Sequence, residues 1–288
     1  MKISRRLSLA AVSFACIGTA LTTNPVASSA ATVPLVCTER ADGGPAVAYG
    51  LTVDQRVICF KVNRPSVNKT LMSAGLLTAP DSALVGIDVR PANGAIYGLG
   101  DGGGIYLLDP LAGRPELKSR LNVSLSGRSF GVDFNPTVDR LRVVSDTGQN
   151  LRINVDTGAV TVDAALNLTA GVTASGIGGV AYTNNDNDAS TATTLFDIDS
   201  VADQLVMQNP PNNGTLVPVG RLGHDTSAAV AFDIRSTLKD GKAVSNEGFV
   251  ALGGGGSFYR IDLATGELAF VGNLGASQLL GFSFPTTD

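Results

Sequence analysis

Tryptophan is absent, histidine occurs once, methionine and cysteine three times each, and aromatic residues make up 6% of the 288-residue chain. One histidine cannot build a multi-histidine zinc site. So few rings leave little for the stacked platforms that bind single-stranded nucleic acid, and they weaken a case for sugar binding. Charge is scarce too, at 16% of residues with a formal net of −4. The net becomes −7 when Lys2, Arg5 and Arg6 leave with the N-terminal segment described next. No lysine or arginine run interleaved with aromatics survives, so nucleic acid is excluded as a partner class. Beyond the N-terminus no apolar run approaches the roughly 18 residues of a membrane span, and none is expected.

What is present begins with an export signal. Lys2, Arg5 and Arg6 precede an apolar run over 7–21, and small residues at Ala27, Ser28 and Ala30 suit cleavage after Ala30 or Ala31. Arg5-Arg6 partly fits a twin-arginine signal, but ordinary secretory signals carry such pairs as well. Cys16 lacks the aliphatic residue three positions earlier that lipidation needs. The expected organisation is a signal peptide over 1–30, an N-terminal segment over 31–45, and one domain over 46–288 that is secreted, extracellular and monomeric. Cys37 and Cys59 then remain in an oxidising compartment, where an even pair reads as a disulfide closing 22 residues and contributing ~3 kcal/mol; two free thiols are the alternative.

The domain is repetitive. The word small, apolar, Asp or small, apolar, polar recurs as Gly86-Ile87-Asp88-Val89-Arg90-Pro91, Gly131-Val132-Asp133-Phe134-Asn135-Pro136, Gly179-Val180-Ala181-Tyr182, Ala231-Phe232-Asp233-Ile234 and Gly281-Phe282-Ser283-Phe284. The starts lie 45, 48, 52 and 50 residues apart, the period of a four-stranded propeller blade. Further strand-like runs fill the intervals, at 96–99, 105–108 and 116–121 in one unit and at 141–144, 151–153 and 160–162 in the next. A Gly-containing corner follows each third run, at Asp109 with Gly113, Asn154 with Gly158, Asn209 with Gly214 and Asp262 with Gly266, where short polar side chains and glycine form turns. Runs at 46–51, 56–62 and 70–74 make a first unit lacking its first strand, and 281–285 supplies a lone first strand at the other end. The fold class is therefore all-β, a five-bladed propeller of four-stranded antiparallel blades closed by the C-terminal strand. Six blades or an open solenoid remain as alternatives, the open form at the disadvantage of bare strand edges.

These units, with 86–91, 131–136 and Asn209-Pro210-Pro211-Asn212, resemble a secreted bacterial family of unknown function (domain of unknown function 4394), over about 46–285. The resemblance implies a propeller-like fold and export, and no established activity, so it carries no functional residue over. Tyr259-Arg260-Ile261-Asp262-Leu263-Ala264-Thr265-Gly266 is similar to a phrase of other blade repeats and implies a blade only.

Each residue of chemical interest has a structural reading beside it. Gly127-Arg128-Ser129-Phe130-Gly131 spells a hydrolase elbow but precedes a strand and no helix. His224 is the only histidine and a general-base candidate in a connecting loop. Asp88, Asp133 and Asp233 recur at one position of the inner strand, as a ring of carboxylates that could catalyse or hold a cation, or as hydrogen bonders between blades. Asp186 and Asp188 in Asn184-Asn185-Asp186-Asn187-Asp188 are candidate calcium ligands, without the EF-hand glycine and glutamate. No cofactor is expected, calcium being the one these residues leave open. Gly100-Asp101-Gly102-Gly103-Gly104 lacks the context of a phosphate cradle. The loop at 184–188 and the segment at 235–247 should emerge on one face, the expected functional surface. With no convincing catalytic set, the expected function is a non-catalytic module binding an unknown small ligand or extracellular protein. The alternative is an extracellular hydrolase or lyase using the axial carboxylates, with or without calcium.

Overall fold

Short runs of β-branched and aromatic residues bounded by glycine and asparagine can bury both faces only by stacking sheet on sheet. The structure, a computed structural model, describes residues 37, 46–169, 171–226, 230–253, 256–275 and 278–286. All belong to one compact unit, Val33–Asp288. The expected signal peptide, Cys16 and, Cys37 apart, the 31–45 segment lie outside the described residues.

The described strands form five four-stranded antiparallel blades. Blade 1 holds β1 (Val47–Thr52), β2 (Arg56–Lys61) and β3 (Arg64–Ser73). Blade 2 is β4 (Leu84–Val89), β5 (Ile96–Gly100), β6 (Gly104–Asp109) and β7 (Arg114–Arg120). Blade 3 is β8 (Phe130–Asn135), β9 (Arg140–Ser145), β10 (Asn150–Ile153) and β11 (Val160–Val162). After a small hairpin, β12 (Asn167–Thr169) and β13 (Val172–Thr173), blade 4 follows as β14 (Ile177–Tyr182), β15 (Leu195–Asp199), β16 (Gln204–Gln208) and β17 (Leu216–Arg221). Blade 5 is β18 (Val230–Lys239), β19 (Lys242–Leu252), β20 (Ser257–Ile261) and β21 (Leu268–Asn273). The last strand, β22 (Leu279–Ser283), pairs antiparallel with β1, Tyr49 opposite Ser283 and Leu51 opposite Gly281. It is the missing first strand of blade 1. The first strands touch in the cyclic order β22, β4, β8, β14, β18 and back to β22, so the ring is closed.

Two features depart from the sequence reading. The stretch 235–247, read as a connection, continues β18 and β19 as a tall hairpin with Arg235 opposite Glu247 and Thr237 opposite Ser245. Its Asp240-Gly241 tip has φ of 53° and 73°, the left-handed pair that a two-residue hairpin turn demands. The β12–β13 hairpin was not anticipated, because its pieces are too short to show a period.

Apolar layers fill every interface between blades. The closing seam is aromatic: Phe258 lies 5.3 Å from both Phe60 and Phe282, and Phe282 lies 5.8 Å from Phe284. Cys37 is disulfide-bonded to Cys59 in β2, with a Cα–Cα distance of 5.7 Å. Because Phe282 belongs to the strand that shuts the ring, Phe282→Ala should cost about 3–5 kcal/mol in urea denaturation. A loss below about 1 kcal/mol would mean that β22 is peripheral to folding.

Candidate functional site

Alternation along each first strand puts the small residue and the Asp of the repeated word on the same face, turned toward the next blade and the axis. The small residue sets how close the strands come. A Cβ at Gly86 would sit 2.5 Å from Val132 Cγ2, and one at Gly131 would sit 2.8 Å from the backbone nitrogen of Val180. At that level the axis keeps only about 10 Å³ of free volume. Nothing passes through the ring.

Two residues further on, the sequence-derived carboxylates do come together. Phe134 N–H donates to Asp88 Oδ2 (2.6 Å), Tyr182 N–H to Asp133 Oδ2 (2.9 Å) and Phe284 N–H to Asp233 Oδ2 (2.9 Å). Each acid thus bonds the following blade's first strand. Ser283, the equivalent residue of β22, accepts from Val89 N–H (3.0 Å) and donates its hydroxyl to Asp88 Oδ1. Ala181 occupies the fifth position, and there Ile234 N–H bonds Asp233 Oδ1 within its own blade instead (2.6 Å). Burial raises all three acids: Asp88 to about 7, and Asp133 and Asp233 well above the usual carboxylate range, the latter two also by repulsion from Asp88. Among the described residues no group of three or more His, Cys, Asp or Glu is placed to hold a metal ion. The acids are sealed, and their work is to clasp blade to blade.

His224 stands apart from them. It is exposed in the connection to blade 5, its ring 5.0 Å from that of Tyr259 on β20, two strands out from the axis. Asp186 and Asp188 are committed to protein donors. Ala243 N–H and Thr191 Oγ1–H donate to Asp186, and Ser190 N–H and Lys242 Nζ to Asp188; the Ser190 hydroxyl first, and then these two bonds, hold the Asp188 carboxyl down at about 2. Their loop is a strap. Asn187 Nδ2 donates to Pro91 O (2.8 Å), reaching from blade 4 to blade 2, while Asn184 and Asn246 bind the strap to the tall hairpin. Only about 200 Å³ remains open beneath it, between Asn185, Asn187, Leu238 and Thr286. The face where first strands end is therefore covered.

The opposite mouth, where first strands begin, is open. A hollow of about 530 Å³ lies there with a floor of Leu84, Val85, Phe130, Val230 and Leu280, from blades 1, 2, 3 and 5. Gln55, Arg128, Ser129 and Asp146 stand around it. Arg128 is exposed, and its backbone N–H donates to Asp146 Oδ1 (2.9 Å). A slightly larger crease of about 570 Å³ runs past Glu247, Arg260 and Glu267, but a single blade walls it, so it is a fold of the hairpin's flank. The glycine-rich turn after β5 already holds an anion of its own: Gly102 and Gly104 N–H donate to Asp81 Oδ1, and Tyr106 and Arg120 contact the other oxygen.

One cluster escaped the sequence reading. Arg142, 1% exposed, donates Nη1 to Asn150 Oδ1 and Asp163 Oδ2 (both 2.7 Å), Nη2 to Asn212 Oδ1 (3.0 Å) and Nε to the Tyr182 hydroxyl (3.2 Å). Its residues come from four separate stretches of chain, and no local pattern joins them.

The family described as "Domain of unknown function (DUF4394)" matches residues 56–283. Among solved structures, a protein of unknown function from Bacteroides thetaiotaomicron is 18% identical over 80% of this chain and 56% of its own, with a TM-score of 0.50. An auxiliary nutrient binding protein from the same organism is 11% identical over 79% of this chain and 57% of its own, with a TM-score of 0.46. The chain thus spans little more than half of either, and the likeness to the first is one of fold. No curated protein matches.

The raised carboxyls generate a pH dependence with a definite sign. An acid whose folded pKa lies above its unfolded value near 3.9 stabilises most below that value, and the contribution fades as pH rises toward the folded pKa. For Asp88 the window runs from about 4 to about 7. Asp88→Asn keeps an acceptor for Phe134 N–H and removes the charge, so in urea denaturation the stability of the variant minus that of the wild type should be on the order of 2–4 kcal/mol higher at pH 8 than at pH 4.5. An unchanged pH slope in this variant would show that Asp88 carries no proton-linked strain.

Proposed function

The chain belongs to the family described as a domain of unknown function (DUF4394), and from the geometry of its ring we propose that it is a non-catalytic binding module. Its ligand, a small molecule or the apolar end of a partner, sits in the upstream hollow. One observation carries this reading: the hollow at the upstream mouth has an apolar floor shared by four blades with polar groups at the rim, the usual make-up of a ligand site. The rival, hydrolysis or elimination by Asp88, Asp133 and Asp233, needs acids within reach of substrate. Burial, the strap and the closed axis stand against that. Export of the mature domain and its action outside the cell belong to the same proposal, supported by the disulfide. No helix among the described residues is long and apolar enough to cross a membrane.

The dye 8-anilinonaphthalene-1-sulfonate, apolar with one anionic group, suits this floor and Arg128. It should bind the folded protein saturably, and Val85→Arg, placed at the half-buried edge of the floor, should weaken it at least tenfold with little change in stability. Equal binding by the variant, or reproducible turnover of a substrate that survives it, would remove the proposal.

A further inference from the structure

The five blades serve as an internal comparison, since their registers define equivalent positions. Opposite the axial residue, the second strand carries Tyr49, Tyr97, Phe196 and Phe249, but Arg142 in blade 3. The third-strand residue facing the same seam is Val57, Ile105, Leu205 or Phe258, but Asn150 in blade 3. Blade 4 answers on its facing side. Asp197 stands where the other blades have Gly50, Gly98, Val143 and Val250. Gln208 stands where they have Phe60, Leu108, Ile153 and Ile261. All four departures meet in the single seam between blades 3 and 4. A repeat that holds these positions apolar elsewhere has been rewritten here.

The rewritten seam is incompletely bonded. Asp197 is 0% exposed and Gln208 1%. Both carboxylate oxygens of Asp197 and Oε1 of Gln208 lack a hydrogen-bond partner, while Gln208 Nε2 donates to Pro211 O. Asp197 lies opposite Val206 and Gln208 two residues beyond it, so the three bare acceptors share one wall. Unsatisfied acceptors at such depth are rare in proteins, and a bound donor is their ordinary remedy. The surroundings set its properties. Val144, Val180, Val206 and Leu216 close the seam around it, which restricts the guest to a few atoms. Arg142 and Arg152 pair with Asp163, and burial raises the Asp197 carboxyl toward its neutral form, which favours a neutral guest.

We propose that the seam between blades 3 and 4 is a buried site for a compact hydrogen-bond donor, water, held by Asp197 and Gln208 beside Arg142. Ammonium shares this chemistry and is the other source of such a donor. The site is separate from the upstream hollow, so neither result decides the other.

The test is a high-resolution crystal structure of the protein grown in parallel from sodium and from ¹⁵N-ammonium salts. A peak within hydrogen-bond reach of Asp197 and Gln208 Oε1 in both crystals, with no protected ¹⁵N-ammonium proton signal in solution, is the expected result. A peak in the ammonium crystals alone, with that signal, supports the site with the charged donor. Asp197→Asn, whose own amide can reach Gln208, and the double variant Asp197→Val with Gln208→Leu should each abolish the peak. If the double variant does not fold, Asp197→Asn still reads the result. Direct contact between Asp197 and Gln208 with nothing between them, and an infrared carboxylic-acid band that vanishes in Asp197→Asn, would overturn the proposal. So would a peak that persists in either variant.

Discussion

Five strands share one axis, and the closeness of that approach governs the rest of the molecule. The strands can meet because glycine or alanine stands at the narrowest level of each, where an added methyl group at Gly131 would run into backbone. Close approach has a polar consequence, since first strands pair within a blade on one edge and leave the other edge facing a neighbour. N–H groups left there would be buried without partners. Asp88, Asp133, Asp233 and Ser283 supply the acceptors. The repeated word is thus one solution to two demands, a small residue for closeness and an acceptor for the edge that closeness buries.

The architecture was legible because both demands recur in every blade. Asp88 and Asp133 lie 45 residues apart in matching words, and the leftover strand at Gly281 could only complete the first blade. The role of the aspartates was less legible. Whether a repeated carboxylate faces solvent, a cation or a neighbouring N–H depends on register across blades, and a single chain does not display that. The strap was half visible. Asn184 to Asp188 reads as a polar loop, but that Asn187 reaches Pro91 follows from the ring's curvature and from no local signal.

Arg142 shows a different kind of blindness. In the sequence it sits in Arg-Leu-Arg, which reads as an ordinary solvated strand edge, and Arg140 and Arg152 beside it are indeed more exposed. Only alignment of the five blades on their axial residues shows that Arg142 stands at an aromatic position. Such an alignment was possible from the repeated words alone. The signal existed, in the form of departures from the chain's own pattern. Buried charge is costly enough that four polar departures meeting in one seam require a compensating network, and Asp163, Asn212 and Tyr182 provide most of it.

The two mouths then divide the molecule by necessity. At the downstream end the acids lie just inside the ring, and water reaching them would favour ionisation of three neighbouring carboxyls. Covering that end with the strap and the tall hairpin holds water off the acids, whose carboxyls burial raises, and leaves the clasp intact. At the upstream end Leu84, Phe130, Val230 and Leu280 stand at the starts of the first strands, apolar residues that tolerate an open hollow because they hold no charge to protect. A ligand seated there can touch four blades at once without disturbing any axial bond. The sealing of one mouth and the availability of the other therefore follow from the same fact, that the acceptors needed to close the ring lie nearer one end of the strands than the other.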